Sequence, residues 1–325
     1  MRKLTCCVIC LAMVLGYLSS VSADEIRLPS NLGQVAFKKV AKGIYVLHGL
    51  QQLPNAENKG LISNSGIVLT DNGVVVVDSG GNYEIGQLIV DRIKRLTDKP
   101  IIAVFNSHIH GDHWLGNSAI QEAYPNARFY AHKRAIERLR DGEAENWRSI
   151  IDGMVGQDKD HHPELVLPDK ALEGGEDFSI DGTKLKLHHT GHAHTDSDIM
   201  VEVPAQRLLF TGDIVEYGRL VSSDVPQDFD AKGQIQAIKY LLELPVDIFV
   251  PGHGETGGRE IPLAALRFLE KLYSSVKTNY DAGLQDYEMK EKVVADLKEF
   301  EDWFNFDEIG RMISFVYQQV EFNDF

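Results

Sequence analysis

Between residues 108 and 113 the chain reads His108-Ile109-His110-Gly111-Asp112-His113, directly after the apolar run Ile101 to Phe105. Three imidazoles and a carboxylate in one short loop exceed what folding requires, and they are the donors that zinc and other borderline divalent metals take as ligands. Three further places repeat the offer: His192-Ala193-His194-Thr195, Thr211-Gly212-Asp213, and Pro251-Gly252-His253-Gly254. Each follows an apolar run and stands beside glycines that let the backbone turn tightly, which places the donors along one rim of a sheet. His108 and His110 are two apart and can point the same way from an extended loop, while Asp112 and His113 begin the next turn and face a second position. The residues thus read as a dinuclear centre. Two metals roughly 3.5–4 Å apart need a bridging anion, for which Asp213 is the natural carboxylate, with a hydroxide completing the bridge.

The elements that must hold these residues alternate between two periodicities. Two-period apolar patterns cover Val35 to Leu47, Gly60 to Leu69 and Gly73 to Asp78, the last two joined by the hairpin signal Thr70-Asp71-Asn72-Gly73. Ile85 to Leu96 has helical spacing, as do Leu115 to Glu122, Lys133 to Arg140 and Lys232 to Leu244. Strands are expected at Ile101–Phe105, Ala127–Ala131, Asp177–Ile180, Thr183–His188, Ile199–Val203, Leu208–Thr211 and Val246–Val250. The polar stretch from Gly142 to Pro163, with Trp147, Met154, His161 and His162, has room for a short helix, but its Gly, Asp and Lys content reads as a loop or lid. After His253 the pattern is helical over Pro262–Asn279, Asp286–Phe300 and Phe306–Val320, a layer expected to complete the core. Two similar α/β halves with helices outside a mixed sheet system are the layout this predicts.

The N-terminus carries Arg2 and Lys3, an apolar run from Cys6 to Leu18 and the step Val21-Ser22-Ala23 before Asp24, the pattern of a signal peptide cleaved after Ala23. The run is shorter than the roughly 20 apolar residues of a spanning helix, so no stable membrane anchor is expected after cleavage, and the location is periplasmic or secreted. Cys6, Cys7 and Cys10 are the only cysteines and all lie in the segment removed, leaving nitrogen and oxygen donors alone to hold metal. Losing Arg2 and Lys3 takes the formal charge from −15 to −17. So acidic a surface repels polyanions, which excludes nucleic acid and favours a small-molecule substrate; the sequence is silent on oligomeric state.

Taken together, the strand ending Val77-Asp78-Ser79-Gly80, the run His108 to His113, the His194-Thr195 step, Phe210-Thr211-Gly212-Asp213 and Pro251-Gly252-His253-Gly254 resemble the metallo-β-lactamase superfamily. The resemblance spans about Val35 to Gly254 and implies a four-layer αβ/βα sandwich, an α/β (α+β) fold with the metals at one edge. The domain plan that follows is a signal peptide over 1–23, the family domain over 24–257 and a helical extension over 258–325 packed on the core. Carried over position by position, the resemblance puts His108, His110 and His194 on a first metal, Asp112, His113 and His253 on a second, and Asp213 between them. The cofactor implied is two Zn2+, with iron or manganese as alternatives. His194 is preferred to His192 because Thr195-Asp196-Ser197-Asp198 then falls in the family register; His192 becomes a supporting residue. Asp78 resembles the family's buried carboxylate that orients the metal loop, a supporting role set against plain strand-end capping.

The chemistry implied is hydrolysis by a metal-bridging hydroxide, with Asp112 orienting it and passing a proton to the leaving group. β-Lactamases of the superfamily carry Cys or Ser where this chain has Asp213, whereas thioesterases of the glyoxalase II type, lactonases and phosphodiesterases carry Asp. No match to the glutathione-binding basic residues of glyoxalase II is evident. The helical tail, with Trp303 and Phe306-Asp307-Glu308, is similar to that of exported members associated with sulfur-oxidation or quinoprotein gene clusters. An ester, thioester or lactone of a small molecule is the expected substrate, with a β-lactam as the alternative. An iron-dependent redox enzyme and a non-catalytic metal-binding accessory protein are the readings from other classes. Trp147 and the Glu216-Tyr217 loop are expected to border the metal cleft.

Overall fold

A computed structural model describes residues 32–156, 163–220 and 228–323. The expected signal segment, its cysteines, and His161 and His162 lie outside the described residues.

Two sheets face each other. In the first, β1 (Lys38–Ala41), β2 (Ile44–Leu47), β3 (Ser65–Leu69), β4 (Val74–Val77), β5 (Ile101–Phe105), β6 (Arg128–His132) and β7 (Lys170–Leu172) lie side by side in chain order. Pairing is antiparallel up to β4 and parallel from β4 to β7. The switch follows from the connections: a tight turn joins β3 to β4, but α1 (Tyr83–Leu96) crosses from β4 to β5, and a parallel neighbour needs such a crossover. The second sheet has the order β12 (Ile248–His253), β11 (Leu208–Glu216), β10 (Met200–Val203), β9 (Thr183–His188), β8 (Asp177–Ile180), with β11 and β12 parallel.

Residue alternation explains the layers. Val75 and Val77 enter the core between the sheets with Phe105, Leu187, Val201 and Phe210. Val74 and Val76 point the other way, onto Ile85, Leu88 and Ile89 of α1 and Ile120 of α3 (Asn117–Ala123). All four valines are at most 3% exposed, as a parallel strand covered on both faces must be. Across the second sheet, Met200, Leu209 and Phe249 share a core with Ile238 of α6 (Ala231–Glu243), Phe268 and Leu272 of α7 (Glu260–Asp281), Val293 of α8 (Asp286–Asp296) and Val316 of α9 (Ile309–Asn323). The order is therefore helix, sheet, sheet, helix, with the C-terminal helices thickening the second outer layer.

Three expectations need correction. The stretch read as a loop or lid contains a twelve-residue helix, α5 (Ala144–Val155). Its apolar residues Ala144, Ile151 and Val155 recur on one face and bury against Trp114 and Leu139, while Gly142 (φ 108°) makes the kink from α4 (Lys133–Arg138) and Gly156 (φ 67°) ends the helix. The strand expected to stop at Thr211 runs on to Glu216, with register shifts on either side of Gly212, so Asp213 sits in a bulged strand and not in the loop after it. The last strand carries His253 within it, as residue six of six.

Candidate metal centre

The centre is assembled at the rim where several strands end. β5 ends at Phe105, and Asn106-Ser107 leads into His108; the one-turn helix α2 (Gly111–Trp114) carries Asp112 and His113. The loop after β9 brings in His194, the bulge of β11 Asp213, and the end of β12 His253. His108, His110, His194 and Asp213 form one group whose donor atoms lie within 4.8 Å of one another; Asp112, His113 and His253 form a second, and Asp213 with Glu216 and His253 a third. All of these residues are buried. Asp213 stands between the sets: its Oδ2 is 3.8 Å from His108 Nε2, 3.5 Å from His194 Nε2 and 3.3 Å from His253 Nε2, and its Oδ1 is 3.3 Å from His113 Nε2. Asp112 Oδ2 lies 3.3 Å from His113 Nε2 and 3.2 Å from His253 Nε2. The seven residues expected as ligands are thus brought together, and His192 stands outside every group.

Outward-facing ring nitrogens are held by the surrounding structure. His113 Nδ1 donates to Asp78 Oδ2 (2.9 Å), whose carboxylate also receives the Ser107 N–H (2.7 Å) and hydroxyl (2.8 Å). With that hydroxyl proton engaged, His108 Nδ1 donates to Ser107 Oγ (2.9 Å). His253 Nδ1 donates to the Ile62 carbonyl (2.8 Å), and His110 Nε2 to Asp228 Oδ2 (3.3 Å). These bonds fix the tautomers so that His108 and His113 present Nε2 inward and His110 presents Nδ1; at His253 the shorter Ile62 bond favours the same inward Nε2, against Arg219 Nη1, which also approaches Nδ1 (3.1 Å). Asp78 adopts φ 61°, a left-handed backbone for a non-glycine residue, so its role goes beyond capping a strand: the turn aims its carboxylate at the metal loop.

The inward atoms test whether the donors fit a metal. Among the described residues, His108 Nε2, His113 Nε2, His253 Nε2 and Asp213 Oδ1 are buried with no hydrogen-bond partner, and His110 Nδ1 faces His194 Nε2 at 2.9 Å. The His110–His194 contact is satisfied only when one of the two facing nitrogens carries a proton, and His108 Nε2 and Asp213 Oδ1 have no donor; a cation seated among these atoms would satisfy them together, so the residues fit metal ions held by nitrogen and oxygen.

Charge tells the same story. Burial, reinforced by His113, drives His108 well below the ordinary imidazole range; burial and His110 lower His194 to about 3. Burial would lower His113 too, but Asp213, Asp112 and Asp78 outweigh it and hold it well above. His253, also opposed by burial, is raised to about 9 chiefly by Asp213. Burial would raise Asp112 and Asp213, yet His113 and His253 hold both well below the carboxylate range. In the metal-free protein, protons on His113 and His253 occupy the place that metal charge would take.

Several contributors were not evident from spacing. Asp228 lies 15 residues beyond Asp213, and Arg138 on α4 grips its other oxygen (2.7 Å). Arg138 also pairs with Asp196 (2.9 Å) and, twice, with Glu143 (2.7 and 2.9 Å). His192 Nε2 donates to the Asp228 carbonyl (2.6 Å), so His192 supports the residue that holds His110. The segment Ile62 to Asn64 backs the second group: Ser63 donates to the Asp112 carbonyl, and the Asn64 amide to the carbonyls of Pro251 and Gly254 (2.8 Å each). Arg219, buried beside His253, pairs with Glu216 (3.1 Å). Of the residues expected at the cleft, Trp147 sets its ring 4.7 Å from that of His110, tilted by 50°. Tyr217 donates its N–H to the His253 carbonyl (3.0 Å), but its ring packs on the core beneath the C-terminal helices.

Residues 58–253 match the family model described as Metallo-beta-lactamase superfamily. Similar curated proteins include a Metallo-beta-lactamase type 2 of Bacillus sp. (strain 170), 22% identical over 255 residues that span 78% of this chain and 89% of that protein. A Linear primary-alkylsulfatase of Pseudomonas sp. (strain ATCC 19151) is 21% identical over 253 residues, 68% of this chain and 48% of the sulfatase. Among solved structures, a metallo-beta-lactamase from Pontibacter korlensis aligns with a TM-score of 0.56 at 21% identity over 73% of this chain and 99% of that one. A double mutant of the sec-alkyl sulfatase PisA1 aligns with a TM-score of 0.67 at 18% identity over 88% of this chain and 50% of the sulfatase. At these identities the structural likenesses show the fold.

Proposed function

The chain belongs to the metallo-beta-lactamase superfamily of hydrolases, and from that premise we propose that it is an exported dinuclear zinc enzyme that hydrolyses an ester, thioester or lactone of a small molecule. The observation that carries the reading is the convergence of two donor sets on Asp213, with buried ring nitrogens otherwise unpartnered. His108, His110 and His194 would hold one ion and Asp112, His113 and His253 the other, with Asp213 shared. Divalent metal supplies Lewis acidity and lowers the pKa of coordinated water from about 15.7 towards 7. Asp112, whose side chain is the most exposed of the set at 12%, would orient water at the site and carry its proton to the leaving group. Ser107, Asp78 and Ile62 keep the imidazoles in their ligand tautomers.

Two other substrates are favoured by particular relatives. The lactamase likeness, which spans 89% of its relative, supports a β-lactam, and the primary-alkylsulfatase likeness, over 68% of this chain, supports a sulfate ester. Elemental analysis of the purified protein after zinc supplementation should find close to two metals per chain; one or none would sink the dinuclear reading. Turnover against carboxylic esters, thioesters, lactones, β-lactams and alkyl sulfates then ranks the three. Asp213→Ala should lower turnover by orders of magnitude and release metal while the fold persists, because it removes the donor common to both sites. Full activity with full loading in that variant would mean that another group bridges.

A further inference from the structure

Beside His110 the surface opens into a cleft of about 620 Å³ lined by Trp147, Ile150, Asn146 and Ser149 on α5 and by Arg138, Glu143 and Asp228. That volume lies in the range that accommodates small organic ligands, and the wall it presents is mostly apolar. Two contacts tie it to the candidate centre. The Trp147 ring stands 4.7 Å from the His110 ring, and the Asp228 carboxylate that lines the cleft receives the His110 N–H.

The lining is unusual for a helix surface. α5 buries Ala144, Ile151 and Val155 in the core, so its other face should be polar. Instead Ile150 is 41% exposed and Met154, one turn on, 42%, continuing the apolar strip that begins at Trp147. Large apolar side chains held in water beside a reaction centre are what a ligand would cover. The lining cation, Arg138, is already engaged by Glu143, Asp196 and Asp228, so one guanidinium faces three carboxylates. Four of the five N–H donors of Arg138 are spent on these carboxylates, and Arg134, which shares Asp196 (3.5 Å), leaves the group with net negative charge, so an anionic group entering the cleft would be repelled.

We propose that this cleft seats an uncharged, apolar portion of the substrate, so that the enzyme selects neutral hydrophobic esters over esters whose remote end is anionic. The inference rests on the ester-hydrolase reading and names the substrate class of that site. Burying one methylene contributes about a fourfold gain in kcat/KM when it is covered in the transition state.

The test uses the full-length, metal-loaded protein and p-nitrophenyl esters from acetate to octanoate. Expected is a rise in kcat/KM of about threefold to fourfold per methylene over the first few carbons, and at least a tenfold preference for a neutral ester over a hemisuccinate ester of equal length. Ile150→Asp and Ile150→Ser, both at an exposed position, should collapse the octanoate-to-acetate ratio at least tenfold. A ratio independent of chain length, or a preference for the anionic ester, would overturn the proposal. Should no ester be turned over, the ester-hydrolase reading fails but the cleft can still be read by calorimetric titration with N-methyloctanamide, a neutral non-hydrolysed probe. Saturable binding weakened at least tenfold by Ile150→Asp supports the cleft assignment, and no binding to the unsubstituted protein rejects it.

Discussion

At the scale of single residues, the clearest question the chain posed was which of His192 and His194 faces the metals. His194 Nε2 lies 3.5 Å from Asp213 and 2.9 Å from His110, whereas His192 reaches the Asp228 carbonyl. His194→Ala should therefore lose one equivalent of metal under dialysis against a weak chelator. His192→Ala should weaken metal by no more than the 10–100-fold typical of residues that only orient a ligand. Competition titration with a chromophoric chelator separates the two, and the reverse ranking would show the assignment wrong. The motif from His108 to His113 was legible because its donors are contiguous, and the later histidines because glycines mark the turns that carry them. Asp228 and Arg138 were not legible: one follows a segment with no periodic pattern, the other is a charged residue on an amphipathic helix, and only the packing of α4 and α5 across the rim brings them to His110. Ile62 was hidden for a different reason, since it acts through its backbone carbonyl, a group every residue has.

At the scale of elements, strands buried on both faces and helices with one apolar face were read from periodicity, and the four valines of β4 show why: alternate members enter different cores, so the whole run must be apolar. α5 escaped because Gly142, Gly153 and its acidic residues mimic loop composition, while its core-facing stripe is only three residues deep. The bulge in β11 escaped because nothing in Thr211-Gly212-Asp213 separates a bulge from a strand end. Glycines on these elements now carry different expectations. A Cβ on Gly252 would stand 1.8 Å from Asp213 Oδ1, an approach no side chain tolerates, so Gly252→Ala should displace the shared carboxylate and reduce metal loading along with thermal stability. Gly153, inside α5, has nothing within 4 Å of such a Cβ, so Gly153→Ala should leave metal content unchanged and stabilise by up to about 1 kcal/mol through helix propensity. Thermal unfolding with elemental analysis checks both; equal behaviour of the two variants would mean that the rim backbone is free to shift.

At the scale of the whole molecule, the buried centre makes folding stability depend on pH in opposite directions on the two sides of the ordinary histidine pKa. His253, raised to about 9 chiefly by Asp213 against the effect of burial, keeps a proton in the folded chain that the unfolded chain has lost, so its contribution is complete below about 6.5 and disappears as pH rises to about 9. His113, held well above its usual range, acts in the same sense. His194, lowered to about 3 by burial and by His110, does the reverse: between about 6.5 and 3 the unfolded chain takes up a proton that the folded chain refuses, so stability falls with falling pH. His108 adds to that fall, and below about pH 4 the depressed Asp112 and Asp213 add more. The metal-free protein should therefore be most stable near pH 6.5. Metal changes this balance, because His113 and His253 must give up their protons to act as ligands. At pH 7, zinc titrated into the metal-free protein should release protons, seen as a binding heat that varies with the ionisation enthalpy of the buffer. The thermal midpoint of the loaded protein should lose its decline between pH 6.5 and 9. No buffer dependence, or the same alkaline decline with and without zinc, would mean that His113 and His253 are not the residues the metal displaces protons from.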